Sequence, residues 1–317
     1  MSVFLGFDTS NYTTSVAIYD DESGKMINQK MLLPVEENST GSMQSKALFC
    51  HVRQLPDVMG AAFSAFYENG GKTDDIKAAA VSTRPRNVDG SYMPVFLAGV
   101  NSAKAIAFSH NIPCFDTAHQ VGHILAALYS ANRLDLINQP FLAFHVSGGT
   151  TECLLITPDE EEIIKCEIVA HSLDLKAGQA IDRVGVMMGL RFPAGAALDE
   201  LSKSGKLNHK PKPTLKGCDC CLSGLENICK KMYRNGENNA DVARFAIEYV
   251  CCTIEQMSKA VTEKYGEMPF VYAGGVMSNS LIKERIGERG IFAEPKFSSD
   301  NAAGVAVAAS LFYKKER

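Results

Sequence analysis

No apolar run in the 317 residues approaches the roughly 20 consecutive residues that a membrane-spanning helix needs. A helical membrane protein is thereby excluded. Positive charge is not in surplus either: 32 Lys and Arg stand against 36 Asp and Glu, a formal net charge of −4. A chain that grips nucleic acid unaided is ordinarily basic, so any RNA contact has to use a local patch or a partner. Met1 to Gly6 leads straight into an apolar run with no basic segment before it, unlike a secretory leader. A cytoplasmic location is the expectation. The ten cysteines lack the spacing of a disulfide framework: Cys220-Cys221 and Cys251-Cys252 are adjacent, and Cys114, Cys153 and Cys166 lie in or beside apolar segments. Cys218-Asp219-Cys220-Cys221 leaves two readings, a thiolate metal cluster or reduced cysteines of a core, and the second is the commoner arrangement.

What is present is a chain long enough for two lobes with sizeable cores. Val3 to Phe7 and Ser15 to Tyr19 are apolar runs flanking the polar Asp8-Thr9-Ser10-Asn11-Tyr12-Thr13-Thr14, which predicts a hairpin with a hydroxyl-rich tip. Lys77 to Ser82 and Ile112 to Phe115 read as strands, and Val95 to His110 as a helix. The theme restarts at Phe141 to Val146, followed by the turn Ser147-Gly148-Gly149-Thr150-Thr151 and a returning strand, Cys153 to Ile156. A strand, polar turn and strand near the start of each half is a weak internal repeat. Phe270 to Ala273 is a late strand ending at Gly274-Gly275, a helix begins near Ser278, and a last helix runs from about Asn301 to Phe312. Strands alternating with helices, and glycine turns at strand ends, indicate α/β architecture. The predicted lobes are 1–130, to which the last helix (301–317) returns, and 131–300.

The chemistry concentrates in a few places. Thr117-Ala118-His119-Gln120-Val121-Gly122-His123 has a capping-box pattern, Thr117 with Gln120, that predicts a helix start. On that helix His119 and His123, four apart, share one face and are suited to one transition-metal ion. Gln120 stands where a zinc peptidase of the H-E-x-x-H type carries its general base, so the ordinary peptidase reading fails. At Gly148 and Gly149 backbone amides are able to approach phosphate oxygens closely, and Gly274-Gly275 offers a flat surface for a base. Lys203, Lys206, Lys210, Lys212, Lys216, Lys230, Lys231 and Arg234 form a basic stretch, which most often is a solvated face.

Three such turns in the order hairpin, hairpin, strand–GG–helix resemble the actin, Hsp70 and sugar-kinase (ASKHA) superfamily, two ribonuclease-H-like lobes around a nucleotide cleft. The H-x-x-x-H pair, Val146-Ser147-Gly148-Gly149, Gly178-Gln179-Ala180-Ile181-Asp182, Ala273-Gly274-Gly275-Val276-Met277-Ser278-Asn279 and Ser299-Asp300-Asn301-Ala302-Ala303 occur in an order that resembles the TsaD family, formerly called glycoproteases. The resemblance implies metal-dependent transfer of a threonylcarbamoyl group from threonylcarbamoyl-adenylate to N6 of adenosine 37 of tRNA. It implies one divalent ion, Fe2+ or Zn2+, on His119, His123 and Asp300. It implies a nucleotide (ATP, ADP, AMP or threonylcarbamoyl-AMP) near Asp8, Ser10, His145, Val146, Ser147, Gly148, Gly149, Asp182, Gly195, Asp199, Gly274, Gly275 and Asn279. No protein nucleophile is implied; the metal centre acts with Ser147, Gly148 and Gly149. Implied partners are tRNA, bound with protein help, and in bacteria a TsaB-like paralogue and a TsaE-like ATPase; no membrane is implied. His145 precedes the turn where some relatives carry a metal-reaching tyrosine, which leaves it as an added ligand or as a strand histidine near the nucleotide.

The match has departures. Thr150 replaces a histidine or asparagine, Gln179 a glutamate, Ala194 a glycine, and Thr83-Arg84-Pro85-Arg86-Asn87 a glycine-rich turn. They keep a second reading open: a divergent ATP-binding or ATP-hydrolysing paralogue with another acceptor, or a non-catalytic partner. The glycoprotease reading ranks last.

Overall fold

A computed structural model describes residues 1–10, 12–34, 43–88, 90–287 and 290–317. The chain divides into two compact units, one made of 1–139, 157–166 and 296–317, the other of 140–156 and 167–295. The first unit is therefore not a single stretch of chain, since a middle segment and the C-terminus return to it.

In the first unit, β1 (Val3–Asp8) and β2 (Thr13–Asp20) form the predicted hairpin, with Phe7 opposite Val16 and Asp8 opposite Ser15. β3 (Lys25–Leu32) adds to β2 as an edge strand; its Lys25, Asn28, Gln29 and Lys30 give it the polar character that protects an edge. α1 (Gln44–Glu68) follows, then β4 (Ile76–Arg84), parallel to β1. α2 (Phe96–His110) leads to β5 (Cys114–Ala118), parallel to β4, and α3 (His119–Ser130) starts without an intervening loop. The sheet order is β3-β2-β1-β4-β5. β1 is buried along its whole length, because helices pack on both faces of this sheet. That is why its sequence is a continuous apolar run rather than an alternating one.

The second unit repeats the plan. β6 (Phe141–Val146) is antiparallel to β7 (Thr151–Asp159), and β8 (Ile163–His171) lies beyond β7. α4 (Ala177–Met187), α5 (Gly195–Ser202), the ribbon β9 (Thr214–Lys216) and β10 (Asp219–Cys221), α6 (Ser223–Arg234) and α7 (Asn239–Tyr265) come next. β11 (Phe270–Ala273) is parallel to β6, α8 (Ser280–Ile286) follows, and β12 (Gly290–Phe292) is parallel to β11. The order β12-β11-β6-β7-β8 is that of the first sheet read from its other edge. The last helix, α9 (Ala303–Lys315), packs in the first unit on β1, β4 and α3. Each unit has its own core, around Leu5, Phe7, Val16 and Val81 in the first and Phe144, Ile181, Ile254 and Met257 in the second. No helix among the described residues is long and apolar enough to cross a membrane.

Candidate metal centre and nucleotide turns

The helix that carries the histidines starts differently from its sequence signature. Thr117 belongs to β5, the N-cap is Ala118 in an extended conformation, and no side chain caps the helix. Strand pairing wins here: Thr117 lies in register with Ser82 of β4, which keeps it out of the capping position, and its Oγ1 is buried without a hydrogen bond. The Gln120 N–H is satisfied by the Pro85 carbonyl at 3.0 Å instead. Past that point Leu, Ala and Ile at 124–128 form a helix buried on most sides, so the orientation of α3 is set by packing.

His119 and His123 do face one way. Their Nε2 atoms are 2.9 Å apart, and Asp300 Oδ1 lies 3.2 Å from the His123 Nε2 and 3.6 Å from the His119 Nε2. The three candidate ligand atoms all fall within 4.8 Å of one another. Asp300 is presented by the turn before α9. There the Asn301 Oδ1 accepts the Ala303 N–H at 2.9 Å, and its Nδ2 donates to the Phe297 and Ser299 carbonyls at 3.1 and 2.6 Å. Lys30 of β3 donates to Ser299 Oγ at 2.7 Å, beside the carboxylate.

Asp8 has a role that its place among the nucleotide-contacting residues did not anticipate. Its Oδ2 is 2.7 Å from the His119 Nδ1 and accepts the Ser82 hydroxyl at 2.7 Å, while its Oδ1 accepts the Ser10 N–H at 2.8 Å and the Ser10 hydroxyl at 2.5 Å. A carboxylate on Nδ1 fixes the imidazole tautomer and directs Nε2 toward a metal. Two imidazoles and a carboxylate converge here with the second shell already in place, so the residues fit a borderline divalent ion with positions left open. Ser82 and Asn301 were not assigned a role from sequence; Ser82 lies near the end of β4, beside Asp8 at the end of β1, a neighbour relation visible only once the strands are paired. An Asp8→Asn variant is expected to fold and to bind the ion about 10–100-fold more weakly, as read by competition with a chelator; unchanged affinity would remove Asp8 from the site.

The electrostatics agree with a site built for a cation. Burial pushes the His119 ring down, but the charges and hydrogen bonds of Asp8 and Asp300 outweigh it and raise its pKa to about 10. Burial pushes the Asp300 carboxyl up, and the two histidines outweigh that, holding it well below the usual carboxylate range. An imidazole raised in this way adds stability that is complete below its ordinary value of 6.5 and drains away as pH rises through about 10. Asp300 works in the opposite sense: its contribution is present above the ordinary 3.8 and is lost on acidification. The metal-free protein is therefore expected to unfold at steadily lower temperature between pH 6.5 and about 10, and a His119→Asn variant to show a shallower fall. Parallel pH profiles of the thermal midpoint in the two proteins would count against this coupling.

In the second unit the predicted turns come together around the end of β6. The Ser147 N–H donates to the Thr150 carbonyl at 2.7 Å, and Ser147 Oγ accepts the N–H groups of Gly149 at 3.3 Å and Thr150 at 3.1 Å. The Gly149 amide is thus engaged by its own turn, and the Ser147 hydroxyl keeps its hydrogen to donate. The Gly178 N–H donates to the Ser147 carbonyl at 3.1 Å, which docks the start of α4 on this turn. Gly274 has φ +98°, and a Cβ there would lie 2.3 Å from the Val146 carbonyl oxygen, so only glycine lets β11 end against β6. Gly275 meets nothing within 4 Å and Gly195 only the Ile181 Cγ2 at 4.0 Å, open backbone of the kind that a flat ligand group can approach. Asp199 accepts from the Asn279 Nδ2 at 2.7 Å, and Asn279 Oδ1 caps α8 at the Ile282 N–H. Asp182 accepts the Ala194 N–H at 2.8 Å and so holds the Pro193-Ala194-Gly195 segment. His145 lies on β6 of this unit, opposite Glu152 of β7 and Ala273 of β11. Val146 is buried in the core beneath the turn.

Two further sequence features resolve. All ten cysteines are free, and among the described residues the only metal-competent group is His119, His123 and Asp300, so Cys218, Cys220 and Cys221 are not a thiolate cluster. Arg84 is spent internally, on Glu162 Oε1 at 2.6 Å, Asn87 Oδ1 at 2.9 Å and Thr83 Oγ1 at 3.0 Å.

Two sheets of the same strand order, each opened by a hairpin and flanked by helices, define the ASKHA fold class. The HypF protein of T. kodakarensis shares the fold with a TM-score of 0.62 at 12% identity, over 99% of this chain and 48% of that one. The activator of the 2-hydroxyisocaproyl-CoA dehydratase from Clostridium difficile, solved with bound ADPNP, shares it at 0.53 and 12%, over 99% and 96%. A ROK-family glucokinase from Streptomyces griseus, in complex with glucose and AMPPNP, does so at 0.52 and 12%, over 98% and 100%. The family model of TsaD, described as tRNA N6-adenosine threonylcarbamoyltransferase, matches residues 41–307. The chain belongs to the TsaD family, and with it to the carbamoyl- and acyl-transfer enzymes.

Proposed function

We propose that this protein transfers a threonylcarbamoyl group from threonylcarbamoyl-adenylate to N6 of adenosine 37 of tRNA. The observation that carries the reading is the convergence of His119, His123 and Asp300, backed by Asp8, in a chain of the TsaD family. In the reaction the N6 nitrogen bonds to the carbamoyl carbon, the carbon–oxygen bond to the phosphate breaks, AMP leaves with the electron pair, and the amine sheds a proton. An iron(II) or zinc ion held by the triad would supply a Lewis acid for the donor's oxygens. Asp8 keeps the His119 Nε2 directed at that position, and the anchored Asn301 turn keeps Asp300 there. The Ser147 hydroxyl supplies a donor on the phosphate side, and Asp199, held by Asn279, together with Asp182 supplies acceptors for ribose hydroxyls. None of these steps needs a protein nucleophile.

The test is incubation of the purified protein with tRNA, threonine, bicarbonate, ATP and an adenylate-forming enzyme, with a TsaB-like and a TsaE-like protein present, followed by nucleoside mass spectrometry. Threonylcarbamoyladenosine is the expected product. ATP turnover without it would replace this reading by that of an ATP-hydrolysing paralogue.

A further inference from the structure

Of the eight cations between Lys203 and Arg234, the structure pairs only Lys203 with a carboxylate, that of Glu200, among the described residues. All eight are exposed. The two acids within the same stretch are engaged elsewhere, Asp219 with His171 at 3.1 Å and Glu226 with Arg183 at 3.3 Å. The stretch therefore keeps its positive charge, although the whole chain carries −4. A charged face that exists only to be solvated is ordinarily laced with opposite charges, whereas seven of these eight cations have no carboxylate partner among the described residues.

The cations are also arranged. Lys210 and Lys212 flank Pro211, which is buried and anchors the segment. With Lys231 of α6 they line a groove of about 400 Å³ whose apolar walls include Ile228, Met232 and Phe245; the one carboxylate on it, Glu237, lies 3.0 Å from the His209 Nε2 and pairs with none of the lysines. Lys230 and Arg234 extend the charge along the exposed side of the same helix. Lysines beside a groove with an apolar wall suit a ligand that alternates phosphates with flat apolar groups, which is the pattern of a polynucleotide strand.

We infer that this groove on the second unit is an RNA-docking surface, the lysines holding backbone phosphates while the apolar wall receives a base or ribose. The inference rests on tRNA being the acceptor and assigns the face that grips it. Since only phosphates and a generic base are met, the surface adds affinity and little sequence preference.

The test is a Lys210→Glu/Lys212→Glu/Lys231→Glu variant. All three side chains are exposed and lie outside the metal and nucleotide residues, so folding and metal content should match the unaltered protein. Binding of an unmodified tRNA transcript is measured by fluorescence anisotropy over a salt series. The variant is expected to bind at least about tenfold more weakly, with the slope of log K against log salt reduced by about two. Equal affinity and slope in the two proteins would overturn the assignment, and if both also modify tRNA the proposed function survives it. Absence of tRNA binding by the unaltered protein would overturn both. Binding of anionic vesicles, in place of tRNA, would give the groove to a membrane surface and overturn it as well.

Discussion

Alanine at His123 is expected to strip the ion from the protein and to lower transfer to tRNA by about a thousandfold. The His123 side chain is one of three within ligand range, with Nε2 3.2 Å from Asp300 Oδ1 and 2.9 Å from the His119 Nε2. Removing it leaves two ligands, which is too few to hold a borderline divalent ion against water. A Lewis acid contributes several kcal/mol of transition-state stabilisation, and each 1.36 kcal/mol is tenfold in rate, so the loss falls near three orders of magnitude. The variant should stay folded. His123 lies on one face of a helix held by Val121, Ile124, Leu125 and Leu128, all buried, and while its loss removes the 2.9 Å hydrogen bond between the two rings, His119 stays anchored on Asp8. Metal content by mass spectrometry and product by nucleoside analysis give independent readouts. A variant that keeps stoichiometric metal would show that the ion, if there is one, sits elsewhere. A variant that loses metal yet keeps activity would show that the triad is structural.

Much of this site was legible from residues alone, for identifiable reasons. The i, i+4 spacing of His119 and His123 is a property of any helix, so the helix had only to be recognised. Asp300 was reachable through the ordered motifs of a family and through nothing local, because it lies 177 residues beyond His123. Asp8 was picked out as the carboxylate that opens the polar hairpin turn and as a nucleotide contact, but its imidazole partner was not, since the Nδ1 contact depends on β1, β4 and β5 lying side by side and on α3 leaving β5 without a loop. The capping box at Thr117 failed because a local pattern competed with strand pairing and lost. The hairpins of β1–β2 and β6–β7 were visible as apolar runs around polar turns. α1 was not, since Pro56 interrupts its pattern and its buried positions include His51 and two alanines, Ala47 and Ala62. The shared order of the two sheets was hidden for a similar reason: the two halves repeat hydrogen-bonded topology rather than identity of residues.

The second large effect is expected at Gly304, a residue that binds nothing. Gly304 lies on the first turn of α9, just past Asp300, and faces α3. A Cβ built there would fall 1.8 Å from the Gly122 carbonyl oxygen and 2.5 Å from the Ala126 N. Both partners are helix backbone, which cannot swing aside as a side chain can. Gly122 sits between the two histidines and gives the same crossing room from the other side, where its own Cβ would meet the Val305 Cγ2 at 3.0 Å. The two helices therefore touch backbone to backbone at the point that sets the separation of His119 and His123 from Asp300. A Gly304→Ala substitution has to push α9 away from α3. Overpacking of a dense interior costs about 1–3 kcal/mol and occasionally more, and a clash with backbone belongs at the upper end. At about 2–4 °C per kcal/mol for a unit of this size, the metal-free protein should unfold roughly 6–12 °C earlier. The same displacement carries the Asp300 oxygen out of reach of the imidazoles, so metal affinity should fall at least tenfold, although no ligand has changed. Restoring metal at high concentration should then recover part of the lost thermal midpoint, because ligand binding stabilises the native state by mass action. If Gly304→Ala lowers the midpoint but binds metal as before, the crossing supports the fold without setting the geometry of the site. If neither changes, the close contact between α3 and α9 is relieved elsewhere along the helices.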